Sequence, residues 1–195
     1  EVCAVGGGVE GGSSSAPGIS NDWVGIYSAS VVPSPDVKCP TWLYYSKGTN
    51  PLRLNVSGTR NWSSPLAAGI YFVGYFMSDG YDEPFPRQYF IIGTPVSLTS
   101  ERSTYTKDES IVVRYSGMTK YLAGSICYQK DGETALHQLT AISGEEGSLE
   151  LNVPSEGSYK LYVCVDGVPV SSACNVKVNT DGTAVTEVRS AHHSN

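Results

Sequence analysis

The chain has 195 residues, a net charge of −6, 40% hydrophobic residues and only 16% charged residues. This length exceeds the roughly 100 residues of one immunoglobulin-like sandwich and suits two. Without a basic stripe to neutralise phosphates, a nucleic-acid partner is disfavoured. No apolar run approaches the about 18 residues that predict a membrane span.

The first half of the chain begins with a segment that lacks strand signals. Residues 6–20 are rich in Gly and Ser, so residues 1–20 are interpreted as a flexible lead with little capacity for a buried strand. Alternating apolar residues bounded by turn residues then predict strands. These are WVGIYSA (23–29), TWLYYSK (41–47), LRLNVSG (52–58), GIYFVGYFMSDG (69–80) and RQYFIIG (87–93).

The second half carries a fuller set of strand signals, separated by Asp-Gly turns at Asp131-Gly132 and Asp166-Gly167. Seven short strands in about 85 residues are typical of an immunoglobulin-like sandwich. The predicted strands are VSLTS (96–100), SIVVRYS (110–116), GSICYQK (124–130), ALHQLTAIS (135–143), SLELNV (148–153), GSYKLYVCV (157–165) and SACNVKV (172–178).

The two halves resemble each other in the order and spacing of their strands, which indicates an internal repeat. WVGIYSA falls opposite GSICYQK, and GIYFVGYFMSDG matches GSYKLYVCVDG. The second half has two strands before GSICYQK, whereas only the glycine-rich lead precedes WVGIYSA. The predicted fold is therefore all-β, with two tandem immunoglobulin-like sandwiches of which the first lacks one or two strands. The boundaries are 21–94 and 95–179, followed by a tail at 180–195.

An incomplete sandwich exposes core residues and unpaired backbone groups, which a strand from a neighbour can cover. The β-branched stretch Thr183–Arg189 is the favoured donor, with Ala184, Thr186 and Val188 facing the groove. The alternative donor is Glu1–Val5. Both alternatives predict a head-to-tail homopolymer.

The stretch Asp22-Trp23-Val24-Gly25-Ile26-Tyr27 resembles a strand motif of two sandwich families. One is the N-terminal β domain of plant-type purple acid phosphatases, and the other is the SKICH domain of intracellular adaptors. The resemblance covers six residues and implies an architectural role, in which Trp and Tyr pack the core and Gly permits close approach. Trp23 is accordingly interpreted as a core residue rather than a ligand platform.

No catalytic constellation is recognisable, so the chain is not expected to be an enzyme or to carry a cofactor. His137 lies in a predicted strand, and His192 and His193 lie in the tail without accompanying metal ligands. Asp79, Asp82 and Glu83 form an acidic loop, for which calcium binding is an alternative interpretation. A solvated Asp-Gly turn explains this loop as well, and no metal site is predicted.

Five cysteines, Cys3, Cys39, Cys127, Cys164 and Cys174, are disulfide candidates and favour an oxidising compartment. A bridge from Cys164 to Cys174 or to Cys127 is expected, although connectivity cannot be deduced from sequence. One thiol is left over, either buried or available to link two subunits. The start EVCAVGGG, without Met, is typical of a processed secreted chain.

Asn55-Val56-Ser57 and Asn61-Trp62-Ser63 are acceptors for N-linked glycans. The leading hypothesis is therefore that the chain is a structural subunit of a secreted, glycosylated fibre or surface layer. Its partners are further copies of the same chain. The rival is an accessory or carbohydrate-binding module of a secreted hydrolase, and an intracellular adaptor of SKICH type is third.

When the chain passes through a eukaryotic secretory pathway, Asn55 and Asn61 are expected to carry N-linked glycans. Intact mass before and after amidase treatment measures this, and Ser57→Ala and Ser63→Ala should each remove one glycan. Asn152 is the internal control, because Pro154 stands where the acceptor needs Ser or Thr. An unchanged mass at both acceptors would contradict the expectation.

Overall fold

The computed structural model describes residues 2–5, 8–11, 21–44, 52–55 and 66–180, and for 2–5, 8–11 and 52–55 it describes the backbone alone. Every regular element in these ranges is a β-strand, which confirms the all-β class. No helix there has the length and apolar character that a membrane crossing demands. The first domain contains β1 (Val2–Val5), β2 (Gly8–Gly11), β3 (Trp23–Ser28), β4 (Thr41–Tyr44), β5 (Leu52–Asn55), β6 (Gly69–Phe76) and β7 (Gln88–Ile92).

The second domain is a sandwich of two sheets with strand orders β13-β10-β8 and β12-β11-β14-β16-β9, and β15 pairs with β14. Its strands are β8 (Ser97–Ser100), β9 (Thr104–Thr106), β10 (Ile111–Ser116), β11 (Gly124–Lys130), β12 (His137–Ile142), β13 (Glu146–Leu151), β14 (Gly157–Val165), β15 (Val168–Pro169) and β16 (Cys174–Asn179). This division of strands between sheets is immunoglobulin-like.

Alternation along the strands builds the core of the second domain. In β10 the buried residues Ile111, Val113 and Tyr115 alternate with less buried neighbours. They meet Ile126 of β11 and Leu161 of β14, and Val113, Ile126 and Leu161 are all fully buried. Period-2 burial of this kind is what a sheet with one face in the core requires.

The first domain repeats the same sheet orders, which confirms the internal repeat. Its sheets run β1-β2-β5 and β4-β3-β6-β7, matching β8-β10-β13 and β12-β11-β14-β16. The expected gap ahead of Trp23 is wrong, because β1 and β2 occupy those two positions; within the described ranges, β9 and the two-residue β15 have no counterpart in the first domain. Both strands lie inside residues 1–20, so the interpretation of that whole segment as a flexible lead is wrong for residues 2–5 and 8–11. A four-residue strand such as β2, paired on both sides, is formed by backbone hydrogen bonds that composition does not reveal.

The four described cysteine side chains, Cys39, Cys127, Cys164 and Cys174, are free thiols. The expected bridge in the second domain is therefore wrong, and strand register explains why. Cys127 pairs with Tyr162 and Ser125 with Cys164, so the two thiols are diagonal neighbours. Diagonal Cα atoms lie about 7–8 Å apart, beyond the roughly 4.4–6.8 Å of a disulfide.

Cys174 pairs with Leu161 and contacts the core. Because side chains alternate along β14, Cys164 points to the opposite face from Leu161, and the hairpin bridge from Cys164 to Cys174 is excluded as well. Burial, with the Cys127 thiol beside it, raises the pKa of Cys164 to about 12. This thiol therefore stays protonated at neutral pH.

The two domains meet through a short connection. Only Gly93, Thr94 and Pro95 separate the end of β7 from Val96, which bridges to Ser171 in the second domain. Gly93 turns the chain with a φ of +66°, a conformation that favours glycine.

Side chains from both domains pack across this joint. Tyr89 of the first domain stacks on Tyr121 of the second with ring centroids 4.6 Å apart. Ile91 packs against the core of the second domain. The joint is therefore an interface of side chains as well as a linker.

Candidate ligand-binding cleft

The cleft in the first domain begins with a buried carboxylate. Asp22 is fully buried and accepts hydrogen bonds from the Tyr75 hydroxyl (2.5 Å) and the Ser78 backbone N–H (3.0 Å). A carboxylate that is removed from water needs such donors. Asp22 thereby ties the start of β3 to the turn that follows β6.

That turn has an unusual backbone. Ser78 and Asp79 have φ values of +53° and +58°, and the Gly80 N–H donates to the Met77 carbonyl at 2.8 Å. Two successive positive φ values are typical of a type I′ hairpin turn, which normally selects Asn or Gly. The Asp79 N–H donates to the Asn21 carbonyl at 2.8 Å, which helps to hold this conformation.

Facing glycines make room for a layer of aromatic rings beside this turn. Gly25 of β3 pairs directly with Gly74 of β6. A Cβ atom on Gly25 would lie 2.8 Å from the Trp23 ring, and one on Gly74 would lie 2.7 Å from the Phe76 ring. Trp23 and Phe76 stack with centroids 4.2 Å apart, so the rings occupy the space that side chains would fill.

We call this layer the aromatic face; its buried members are Trp23, Tyr27, Phe72 and Phe76. The opposite face of the same sheet carries Val24 and Ile26. Trp23 donates its indole N–H to the Gly80 carbonyl at 3.0 Å. This confirms the architectural role expected for Trp23, Gly25 and Tyr27.

The segment 29–40 covers the aromatic face, since Val31, Val37 and Cys39 pack against it. The single S–H of Cys39 lies within donating distance of two carbonyls, those of Thr41 (3.1 Å) and Ile26 (3.4 Å). Burial raises the pKa of Cys39 to about 11. The thiol is therefore a poor nucleophile at neutral pH and acts here as a packing group.

Tyr27 presents a polar atom in this apolar setting. Its side chain is 1% exposed, and its hydroxyl faces the Cys39 sulfur, a weak hydrogen-bond partner; no described atom bonds it with better geometry. Burial, with the Cys39 thiol beside it, raises the pKa of Tyr27 far above its ordinary range. A buried hydroxyl whose polar neighbour is a thiol is only weakly satisfied.

Between the segment 29–40 and the aromatic face lies a cleft of about 390 Å³. Trp42 and Tyr44 stand nearly perpendicular there, with centroids 5.2 Å apart and planes at 86°. The Tyr44 hydroxyl donates to Asp79 at 2.7 Å, and this bond raises the pKa of Tyr44. The lining residues are Trp23, Tyr27, Pro35, Val37, Lys38, Cys39, Trp42, Tyr44, Asp79 and Tyr81.

The acidic loop does not assemble as the calcium alternative requires. Glu83 forms two hydrogen bonds with Arg87, at 2.7 and 2.8 Å, and the Arg87 guanidinium lies 4.0 Å from the centre of the Phe72 ring. Asp79 turns instead to Tyr44. Within residues 21–44 and 66–180, no three potential ligands converge as a metal would need.

Several residues singled out from sequence lie elsewhere or beyond the described ranges. Asn55 is the last residue of β5, and His137 of β12 stacks on Tyr128 at 5.0 Å. The donor candidate with Ala184, Thr186 and Val188 falls outside the described residues, as do Asn61, His192 and His193. The side chains of Cys3 and Asn55 are likewise not described.

Sequence reasoning missed Lys38, Trp42 and Tyr44 as members of one site, and it missed Asp22 as the residue that holds the adjoining turn. Tyr44 and Asp79 meet although 35 positions separate them. A local signal did exist, since TWLYY places Trp42 and Tyr44 two positions apart, on one face of a strand.

No family model and no curated protein matches the chain. It is similar to solved structures of the Escherichia coli adhesin FdeC (14% identity, TM-score 0.32, 61% of this chain and 43% of that one) and of invasin, a bacterial integrin-binding protein (14%, 0.32, 89% and 36%). A third is the BSP domain of a biofilm-associated protein (15%, 0.29, 91% and 28%). The chain spans less than half the length of each of these structures. At these scores the similarities carry no argument about function.

Replacing Gly25 or Gly74 with Ala should destabilise the first domain by about 1–3 kcal/mol, because the added methyl overpacks the aromatic face. Thermal or denaturant unfolding measures the change. In an open strand position the same substitution is ordinarily stabilising, since it lowers the entropy of the unfolded chain. The control is Thr99→Ala, at an exposed position of a strand in the second domain, which should change the free energy of unfolding little. If both glycine variants are as stable as the wild type or more stable, Gly25 and Gly74 are not needed to make room for the aromatic rings.

Proposed function

We propose that this chain is a structural module of an extracellular or surface-exposed protein, in which two immunoglobulin-like domains act as one stiff spacer. The joint is the observation that supports this most directly. A three-residue connection limits the relative motion of the domains, and the Tyr89–Tyr121 stack and the Ile91 contact add side-chain packing. Inter-domain motion is the default where such an interface is absent.

Secretion and glycosylation belong to the same proposal. The two acceptors Asn55 and Asn61 support it. The free thiols of Cys127 and Cys164 give it no support, because these positions do not form a disulfide. The chain is proposed to bind or build rather than to catalyse.

If the joint is stiff, both domains tumble together in solution. ¹⁵N relaxation of the wild type should give one rotational correlation time for the two domains. The double variant Ile91→Ser with Tyr121→Ala should give two shorter ones, because it removes both side-chain contacts across the joint. Val32→Ala, at a site 76% exposed, is the control. If the two domains of the wild type tumble independently, the proposal of a stiff spacer is wrong.

Head-to-tail assembly is the finer part of the proposal. Since β1 and β2 already fill their positions, a strand from a neighbour would add at a sheet edge rather than enter a gap. β1 is such an edge, with β2 as its partner in the described sheet. The favoured donor remains Thr183–Arg189, in the tail that follows the second domain.

Deleting residues 183–195 should abolish concentration-dependent association, measured by sedimentation velocity and negative-stain imaging. Deleting residues 190–195 alone is the matched control and should preserve association, because the donor stretch stays intact. If the longer deletion associates like the wild type, this donor is wrong. A wild-type monomer at all concentrations would remove head-to-tail assembly but leave the stiff spacer.

A second candidate function, a carbohydrate-binding accessory module, is favoured by the cleft of the first domain. A spacer needs no cleft with aromatic walls and charged groups at its rim. The two functions are compatible, because the cleft and the joint use different residues.

A further inference from the structure

We infer that the cleft lined by Trp42, Tyr44 and Asp79 binds a ring of a neutral sugar. This inference rests on the second candidate function and adds the site, its residues and the class of ligand. The surfaces of a pyranose ring combine C–H groups, which pack on aromatic rings, with hydroxyls that donate and accept hydrogen bonds. Pockets that recognise such ligands combine apolar walls with a few placed polar groups.

Aromatic walls form two sides of the cleft. Trp42 and Tyr44 are half-buried and stand at 86° to each other, while Trp23 lies beneath at 80° to Trp42. Trp23 is stacked on Phe76 and serves as the floor. The electron-rich face of an aromatic ring attracts weakly positive hydrogen atoms, such as those on the carbon atoms of a sugar.

The charged groups of the cleft select an uncharged ligand. Asp79 and Lys38 are both exposed and line the same space. For a cation or an anion, the attraction of one of these groups is offset by the repulsion of the other, whereas sugar hydroxyls can donate to the carboxylate and accept from the ammonium group. This pairing distinguishes the cleft from an aromatic cage for quaternary ammonium groups, which lacks a competing cation.

Tyr27 lines the inner end of the cleft and supplies a further polar group. Its hydroxyl is buried, and its nearest polar neighbour is the weakly bonding Cys39 thiol. A ligand hydroxyl that took the place of the Cys39 thiol would form the stronger O–H···O hydrogen bond with it. The Tyr27 hydroxyl would then be better satisfied in the complex than in the free chain.

Size and preorganisation agree with this ligand. A volume of about 390 Å³ is at the small end of the range for ligand pockets, roughly 300–1,000 Å³, as expected for one or two sugar rings. Asp79 is fixed by its backbone bond to Asn21 and by the Tyr44 hydroxyl. A binding group that is already in place loses little entropy when the ligand arrives.

The test is affinity electrophoresis of the full chain in gels containing one of four neutral polysaccharides: a β-glucan, a xylan, a mannan or a galactan. Dissociation constants for the matching disaccharide then come from calorimetry. At least one neutral polysaccharide should retard the wild type. Trp42→Ala should weaken binding by about tenfold or more, as expected for a central aromatic contact, and Asp79→Asn should also weaken it.

Phe85→Ala is the matched control, an exposed aromatic of the same domain that packs on Tyr75 outside the cleft; its affinity should change less than about twofold. Tyr27→Phe should raise the melting temperature, because a buried hydroxyl with only a weak sulfur partner is removed, and should weaken binding. All variants are compared at equal folded fraction, measured by circular dichroism.

Each other outcome counts against the inference. Retardation that Trp42→Ala leaves unchanged would place sugar binding elsewhere on the chain, which would retain the second candidate function but overturn this site. Binding only to a charged polysaccharide, or only to a proline-rich peptide offered in parallel, would overturn the ligand class. No binding across the panel would overturn the inference, while the stiff spacer would stand unaffected.

Discussion

The contact between Gly25 and Gly74 is the constraint on which the first domain depends. Two glycines that face each other across β3 and β6 leave a shallow trough in the sheet, and the rings of Trp23 and Phe76 lie in it. With any larger side chain at either position, the rings would have to move away from the sheet. The segment 29–40 packs on these rings and would then lose its packing surface.

The cleft follows from this arrangement together with the buried carboxylate of Asp22. Asp22 orients the turn after β6 through Ser78, and the turn directs Asp79 towards Tyr44. The short motif Asp22–Tyr27 thus contributes the carboxylate that fixes the turn, the tryptophan that forms the floor and the glycine that admits it. Its architectural role and its place in the cleft are two effects of the same six residues.

The strands were predictable where side chains alternate strongly. β11 and β14 begin and end at the residues that the sequence indicated, and the repeat identified their counterparts β3 and β6. By contrast, β1 and β2 were missed because pairing with β5 depends on backbone groups. The short β9 was missed because three residues carry too little pattern, although its Tyr105 is buried.

The cleft was beyond sequence reasoning for a different reason. Its walls and its carboxylate come from β3, β4 and the turn after β6, and the pairing of β3 with both other strands brings them together. The disulfide prediction failed because it too depends on the register between strands, which the sequence does not show. Cys127 and Cys164 were correctly placed on neighbouring strands, but their diagonal register decides the outcome.

The parallel pairing of β9 with β16 determines how the second domain responds to force. β9 lies near the start of this domain and β16 at its end, and they are joined in register from Thr104 with Lys177 to Thr106 with Asn179. The Lys177 N–H donates to Ser103 and the Lys107 N–H to Asn179, at 2.8 and 2.9 Å. Tension applied through the two ends of the domain pulls these strands in opposite directions along their axes. The hydrogen bonds are then loaded together in shear instead of being opened one after another, so the domain has a mechanical clamp although its described cysteines form no crosslink.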